Sequence, residues 1–163
     1  MSRILATLLT FTTYGTWLRG DPRGWTENAR PQPPDPALQL ADRRRLKHAP
    51  YRIPDHQLLA LGRAVGRALI DRLNLRILAL AVHPTHLHLV IASTDEPIPR
   101  IVKCAKDSAR HHLNPGRPIW TAGYDKRFCF TDAAVTARIR YVEKHNLQLN
   151  LPPRPYDFIV PPI

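Results

Sequence analysis

The run Ala79-Leu80-Ala81-Val82-His83-Pro84-Thr85-His86-Leu87-His88-Leu89-Val90-Ile91 constrains this chain more than any other stretch. It reads as two apolar strands joined by a short His-Pro-Thr turn. Side chains at i and i+2 of a strand point to one face. His86 and His88 can therefore converge on one metal ion, while Leu87 and Leu89 face the other way. A plainer reading stands beside it, in which both histidines are satisfied by hydrogen bonds within a sheet.

The elements around this hairpin follow a definite order. Ile4–Tyr14 is rich in Leu, Thr and Phe, as suits a strand. A helix opens at Pro54-Asp55, with Asp55 as its expected cap. It carries an apolar stripe of Leu58, Leu59, Leu61, Val65, Leu69, Ile70 and Leu73 and ends at Asn74. Strands follow over Leu75–Val82 and His86–Ala92, and then a helix over Ile98–Leu113, stopped by Asn114-Pro115-Gly116. Ile119–Phe130 reads as a fourth strand region with an irregularity at Gly123, and Thr131-Asp132 starts a last helix over about Ala133–Asn146. The order β-α-β-β-α-β followed by a helix predicts an α+β, ferredoxin-like fold. That is one four-stranded antiparallel sheet with helices on one face, plus an additional C-terminal helix. The first and third strands are central in this topology, which places His86 and His88 on a rigid strand.

The chain is 163 residues long, which predicts one domain. We expect it over residues 1–150, followed by an extended tail, 151–163, that contains five prolines. Within the domain, residues 15–54 hold seven prolines and eight Arg or Lys residues, including Arg43-Arg44-Arg45. This reads as a basic, Pro-rich insertion with one short helix near Ala37–Lys47. Irregular segments of that length in compact domains usually serve function.

Lys and Arg number 24 against 13 acidic residues, giving a net charge of +11 and a pI near 10.5. Such a field favours a polyanionic partner, of which nucleic acid is the commonest. The two cysteines, Cys104 and Cys129, have no C-x-x-C spacing. A disulfide framework or zinc ribbon is thereby disfavoured, and a reducing cytoplasm fits. Ile4–Trp17 follows a basic residue but carries five threonines and no small-residue cleavage site, so it reads as a buried strand and not as a leader. No run reaches the ~18 apolar residues of a membrane span, so no membrane partner is expected.

The last helix contains Arg138-Ile139-Arg140-Tyr141-Val142-Glu143-Lys144-His145-Asn146. Tyr141 and His145 are four apart and share a face, with Arg138 one turn earlier. Such a face suits a catalytic edge better than a core. The plainer reading packs the Tyr141 ring into the core with its hydroxyl at the rim.

The run Pro84-Thr85-His86-Leu87-His88-Leu89-Val90-Ile91 resembles the His-hydrophobic-His ("HUH") motif of single-tyrosine transposases. It is closer still to the REP-associated tyrosine transposases. The resemblance extends to Phe11-Thr12-Thr13-Tyr14-Gly15-Thr16-Trp17, to Lys106, to Ile119-Trp120 and to Arg140-Tyr141-Val142-Glu143-Lys144-His145-Asn146, from about Ile4 to Asn150. Two departures are visible. The position four after the tyrosine is usually Gln or Asn in the family and is His145 here, and the family's Asn-Pro after that helix is replaced by His145-Asn146-Leu147.

The resemblance implies a metal-dependent endonuclease and strand transferase acting on single-stranded or hairpin DNA through a 5′-phosphotyrosine. It implies a bacterial, cytoplasmic, nucleoid-associated protein, and favours a monomer while leaving a dimer open. Tyr141 is then the nucleophile. Lys106 is a second catalytic candidate, offsetting phosphate charge. His86 and His88 hold a divalent metal, Mg²⁺ or Mn²⁺, with His145 as the candidate third ligand and Glu143 or water as the alternative. Arg43, Arg44, Arg45, Lys103, Arg110 and Arg138 are candidates for contacts to the nucleic acid. Two other readings remain open. A non-catalytic module could bind single strands on sheet aromatics such as Phe11 or Phe130, and a zinc hydrolase could use His86, His88 and His145.

Overall fold

The computed structural model describes residues 2–160. Strands β1 (Ala6–Thr12), β4 (Ile77–His83), β5 (His86–Ala92) and β6 (Asp125–Cys129) form one antiparallel sheet in the order β4-β5-β1-β6. This is the ferredoxin-like arrangement. β1 and β5 occupy the centre, and the histidine strand pairs on both sides.

β4 and most of β5 are continuously apolar because both faces of the sheet are covered there, whereas the edge strand β6 is polar and exposed over Asp125, Lys126 and Arg127. On one face Leu9, Phe11, Leu87, Leu89 and Ile91 pack against helices α2 (Leu58–Leu73) and α3 (Ile98–Leu113). On the other, Ala6, Leu8 and Val90 pack against Val135, Ile139 and Val142 of helix α4 (Asp132–Gln148). The helices are thus split between the faces, with the additional one alone on the histidine side. In β4 the register slips between Ile77 and Ala79, so Leu78 and Ala79 join the α4 side while Ile77 and Leu80 join the other. Such a bulge shifts the alternation by one residue. It leaves Ala81 opposite His88 and His83 opposite His86.

Local chemistry sets the ends of the helices. Asn74 and Asn114 terminate α2 and α3 in the left-handed conformation, with φ of 52° and 43°. The Thr131 hydroxyl accepts the Ala134 N–H at 3.1 Å and starts α4. Asp55 does not cap α2. It opens a separate 3-10 turn, Asp55–Gln57, and the helix begins after Gln57 without a side-chain cap.

The basic insertion is more ordered than its prolines suggest. Strands β2 (Trp25–Glu27) and β3 (Arg30–Gln32) form a small hairpin, and helix α1 (Pro36–Arg45) follows on an Asp35 cap. The hairpin turns through Asn28 and Ala29, both at positive φ. Asn28 suits such a turn, but Ala is rare at the second position, so the usual Asn-Gly signal is only half present. Gly20 sits at φ +83°, where a Cβ would lie 2.1 Å from the Asp35 carbonyl oxygen, and the two segments meet only because it has none.

The C-terminal stretch lacks regular structure among its described residues, yet it is packed. Tyr156 and Phe158 are buried, with their rings stacked on each other. They lie on α2 where Gly62 and Gly66 leave room, since a Cβ at Gly66 would stand 2.1 Å from the Phe158 ring. The Val160 N–H donates to the Ile77 carbonyl at 3.0 Å, tying the tail to the edge strand β4. Residues 161–163 lie outside the described residues.

This packing predicts a change of sign in a double-mutant cycle. Phe158→Ala lowers stability by about 3 kcal/mol. Gly66→Ala destabilises the wild type through overpacking, by about 1–3 kcal/mol. In the Phe158→Ala background the same change stabilises by up to about 1 kcal/mol, because only helix propensity remains. Urea denaturation of the four proteins checks it, and a Gly66→Ala effect independent of Phe158 refutes the packing.

Candidate active site

His86 and His88 leave β5 on the α4 face, and α4 crosses that face so that Tyr141 and His145 stand over them. The His88 and His145 rings are 4.4 Å apart, His86 and His88 are 4.7 Å apart, and His86 and His145 are 5.4 Å apart. The Tyr141 ring lies 4.8 Å from His145 and 5.2 Å from His88. Among the described residues, His86, His88 and His145 form the one group of three whose ligand atoms all lie within 4.8 Å of one another.

Each imidazole is oriented through Nδ1. His145 Nδ1 lies 2.8 Å from the Tyr141 carbonyl, which can only accept, so Nδ1 carries the proton and Nε2 the free lone pair. His88 Nδ1 is 2.8 Å from the Thr10 hydroxyl, and His86 Nδ1 is 3.2 Å from the Thr85 hydroxyl. Metal-ligating histidines ordinarily engage the second ring nitrogen in this way, which fixes tautomer and ring orientation. His83 buttresses the set, stacked on His86 at 4.4 Å and 15°.

Burial keeps His86 and His88 neutral. It pushes the His86 imidazole down to about 3, with the charges of His83, His145 and Arg23 adding to the effect. It pushes His88 down to about 2, helped by the other three histidines. Lone-pair donors that stay unprotonated at neutral pH are what a divalent cation requires. The residues therefore fit a metal by donor type, tautomer and convergence.

The triad opens into a groove of about 500 Å³, lined also by Leu8, Thr10, Thr12, Trp17, Asp125, Arg127, Arg138 and Tyr141. Tyr141 is 44 % exposed, so its hydroxyl end is not held in the core. Arg138 shares the groove, one turn before Tyr141 as its spacing predicts.

The other basic candidates lie elsewhere. Lys106, Lys103 and Arg110 are on α3, across the sheet from the histidines, and none lines the groove. The Lys106 ammonium donates to the carbonyls of Thr121 and Gly123 at 2.9 and 2.6 Å, and so clamps the segment before β6. Lys103 pairs with Asp107 on the surface. Arg43, Arg44 and Arg45 are exposed in the last turn of α1, outside the groove lining. Phe11 is 1 % exposed and packs edge-on against Trp120, so it offers no stacking face. Sequence reasoning missed Thr10, Thr12, Asp125, Arg127 and Trp17. The two threonines were legible in principle, since they follow Leu8 at period two on β1. The others depend on loop path and register.

No family model matches this sequence, and no curated protein matches it. Solved structures do share its fold. One is a REP-associated tyrosine transposase bound to a REP hairpin, 13 % identical with a TM-score of 0.53, matched over 91 % of this chain and 70 % of that one. Another is a candidate transposase from Deinococcus radiodurans, 15 % identical with a TM-score of 0.46, matched over 89 % of this chain and 93 % of that one. Among the described residues, no helix is long and apolar enough to cross a membrane.

The buried neutral histidines predict an acid-sensitive fold in metal-free protein. A histidine whose folded pKa lies below the unfolded value of about 6.5 binds its proton only in the unfolded chain over that window. Stability is therefore fully present above about pH 6.5 and falls as pH drops toward the folded values, by roughly 1.4 kcal/mol per pH unit for each such group. Urea midpoints between pH 7 and 5 will fall in the wild type and flatten in a His86→Gln/His88→Gln variant. Equal slopes in both proteins would contradict the assignment.

Proposed function

We propose that this protein is a metal-dependent DNA strand transferase of the transposase type, with Tyr141 as its nucleophile. The observation that carries the reading is the contact of one exposed tyrosine with His88 and His145, two members of a three-imidazole cluster whose ligand nitrogens converge. A purely binding module has no use for that combination. The fold shared with a transposase that was solved on a hairpin, and the net charge of +11, support single-stranded or hairpin DNA as the substrate.

The chain's own residues suggest the following division of labour. Tyr141 is carried on α4, a rigid element anchored across the sheet, so its oxygen is held over the groove. Attack on a phosphodiester forms the bond from the tyrosine oxygen to phosphorus and breaks the bond from phosphorus to O3′. The 3′-oxygen takes up a proton, the phenol loses one to solvent, and a 5′-phosphotyrosine is left. The covalent link conserves the bond for rejoining. Arg127 and Arg138 line the groove and offset charge on the phosphate. His86, His88 and His145 would hold the cation through Nε2. Bound there, a divalent cation supplies Lewis-acid polarisation of the phosphate and charge for the leaving oxygen. Tyr141 meets His88 and His145 within one chain, which supports a tyrosine that serves its own chain's metal site. Arg43, Arg44, Arg45, Lys103 and Arg110 would contact the strand outside the groove. Lys106 would act indirectly, by fixing the segment that leads to Asp125.

The nucleophile is tested with hairpin-bearing single strands and Mn²⁺ on a denaturing gel. Wild type forms a covalent protein–DNA adduct, and Tyr141→Phe binds DNA equally well but forms none. An adduct in the Phe variant, or turnover without any adduct in the wild type, refutes the assignment.

The metal set is tested separately. Three imidazoles favour Mn²⁺ over Mg²⁺, which prefers oxygen ligands and keeps its waters. Activity will be higher with Mn²⁺. His145→Ala will lose metal affinity, and His145→Gln will keep activity while shifting preference toward Mg²⁺. Thr10→Val, which removes the partner of His88 Nδ1, will weaken Mn²⁺ binding about 10- to 100-fold. Metal titrations decide it, and unchanged affinity in His145→Ala removes that ligand.

A further inference from the structure

Trp17 stands in the groove wall with no role in the chemistry above. It is 38 % exposed, although it shares the groove with His86, His88 and Tyr141. Its orientation is fixed from two sides. The indole N–H donates to the Gly24 carbonyl at 2.7 Å. One ring face is covered by the Arg23 guanidinium, 4.0 Å from the ring centre.

Arg23 is itself immobilised. It makes a two-point contact with the Asp21 carboxylate, at 2.8 Å through Nε and 2.6 Å through a terminal nitrogen, and that nitrogen also donates to the Thr16 carbonyl at 2.9 Å. Asp21 is 2 % exposed, and the Arg23 backbone N–H holds its carboxylate as well. The guanidinium beside it keeps the Asp21 carboxyl below the usual carboxylate range. With its charge matched by Asp21 and its plane spent on the indole, Arg23 is a poor phosphate binder. It is a positioning residue that holds a tryptophan ring.

We propose that the uncovered face of Trp17 is a nucleobase-stacking subsite, taking an unpaired base of the strand whose phosphate lies at Tyr141. A fixed indole with one face already backed presents a flat apolar surface at low entropic cost. The ligand that matches it is a planar ring carried on a polyanion. Only unpaired nucleotides expose such rings, because duplex bases cover each other. Arg127 and Arg138 in the same groove supply the charge that a backbone needs on either side of the stacked base. This subsite rests on the DNA reading of the groove and extends it: the enzyme selects a locally unstacked strand by a base contact made by the Pro-rich insertion, not by the sheet.

The test uses the Tyr141→Phe protein, which cannot cleave, and two fluorescein-labelled strands. One is a short oligo(dT), and the other is a strand of equal length built from abasic sugars. Oligo(dT) will bind about tenfold more tightly than the abasic strand, the scale of one stacked base. Trp17→Leu will abolish that preference and leave abasic binding unchanged, which also shows that the variant is folded. Trp17→Phe will keep part of the preference. Arg23→Gln will reduce it without weakening the abasic strand. In a Trp25→Phe background, oligo(dT) will quench tryptophan emission and the abasic strand will not. An undiminished preference for oligo(dT) in Trp17→Leu, or no quenching, overturns the subsite while leaving the DNA reading intact. Failure of both strands to bind overturns the DNA reading along with it.

Discussion

The buried side-chain amide of Asn146 is the interaction on which the site depends. Its Nδ2 donates to the Leu80 carbonyl at 3.0 Å and to the Pro153 carbonyl at 3.1 Å, and the residue is 1 % exposed. One side chain therefore joins the end of α4, the edge strand β4 and the C-terminal tail. Leaving such buried partners unsatisfied costs about 1–3 kcal/mol each. The geometric consequence matters more. His145 is the preceding residue and Tyr141 is five residues earlier, so pinning Asn146 fixes where both fall on the sheet. Ala79 and Ala81 in β4 permit the approach, because small side chains under α4 leave space for its backbone.

The electrostatics follow from the same packing. A helix laid across β5 removes water from His86 and His88, and desolvation holds them neutral, reinforced by the positive and ionisable groups nearby. A strongly basic protein thus keeps two uncharged donors, His86 and His88, on its central strand. Arg127 and Arg138 line the same groove. Asp125 joins them in the groove wall, paired with Arg127 at 3.2 Å.

Much of this was legible in the sequence, for identifiable reasons. The four strands, the helices and the central position of β5 followed from period, caps and element order. The shared face of Arg138, Tyr141 and His145 followed from helical spacing. What the sequence could not show were features that depend on tertiary fit. The bulge in β4 hides in an unbroken apolar run, where no alternation marks which residue is extra. The β2–β3 hairpin turns on Asn28-Ala29, where Ala29 stands in the place a hairpin signal would give to glycine. Tyr156 and Phe158 read as part of a proline-rich tail because Gly62 and Gly66, the cradle they fill, look like mere weak points in a helix. Trp17 could be quoted as part of a motif, but its exposure to the groove depends on the Asp21–Arg23 clamp.

The central claim is that three imidazoles from β5 and α4 form one metal centre beneath Tyr141. Anomalous scattering from Mn²⁺ in crystals of the protein tests it most directly. The account predicts one strong peak within bonding distance of the Nε2 atoms of His86, His88 and His145, absent in His86→Ala/His88→Ala crystals. A peak that contacts neither His86 nor His88, or that persists in the double variant, would contradict it.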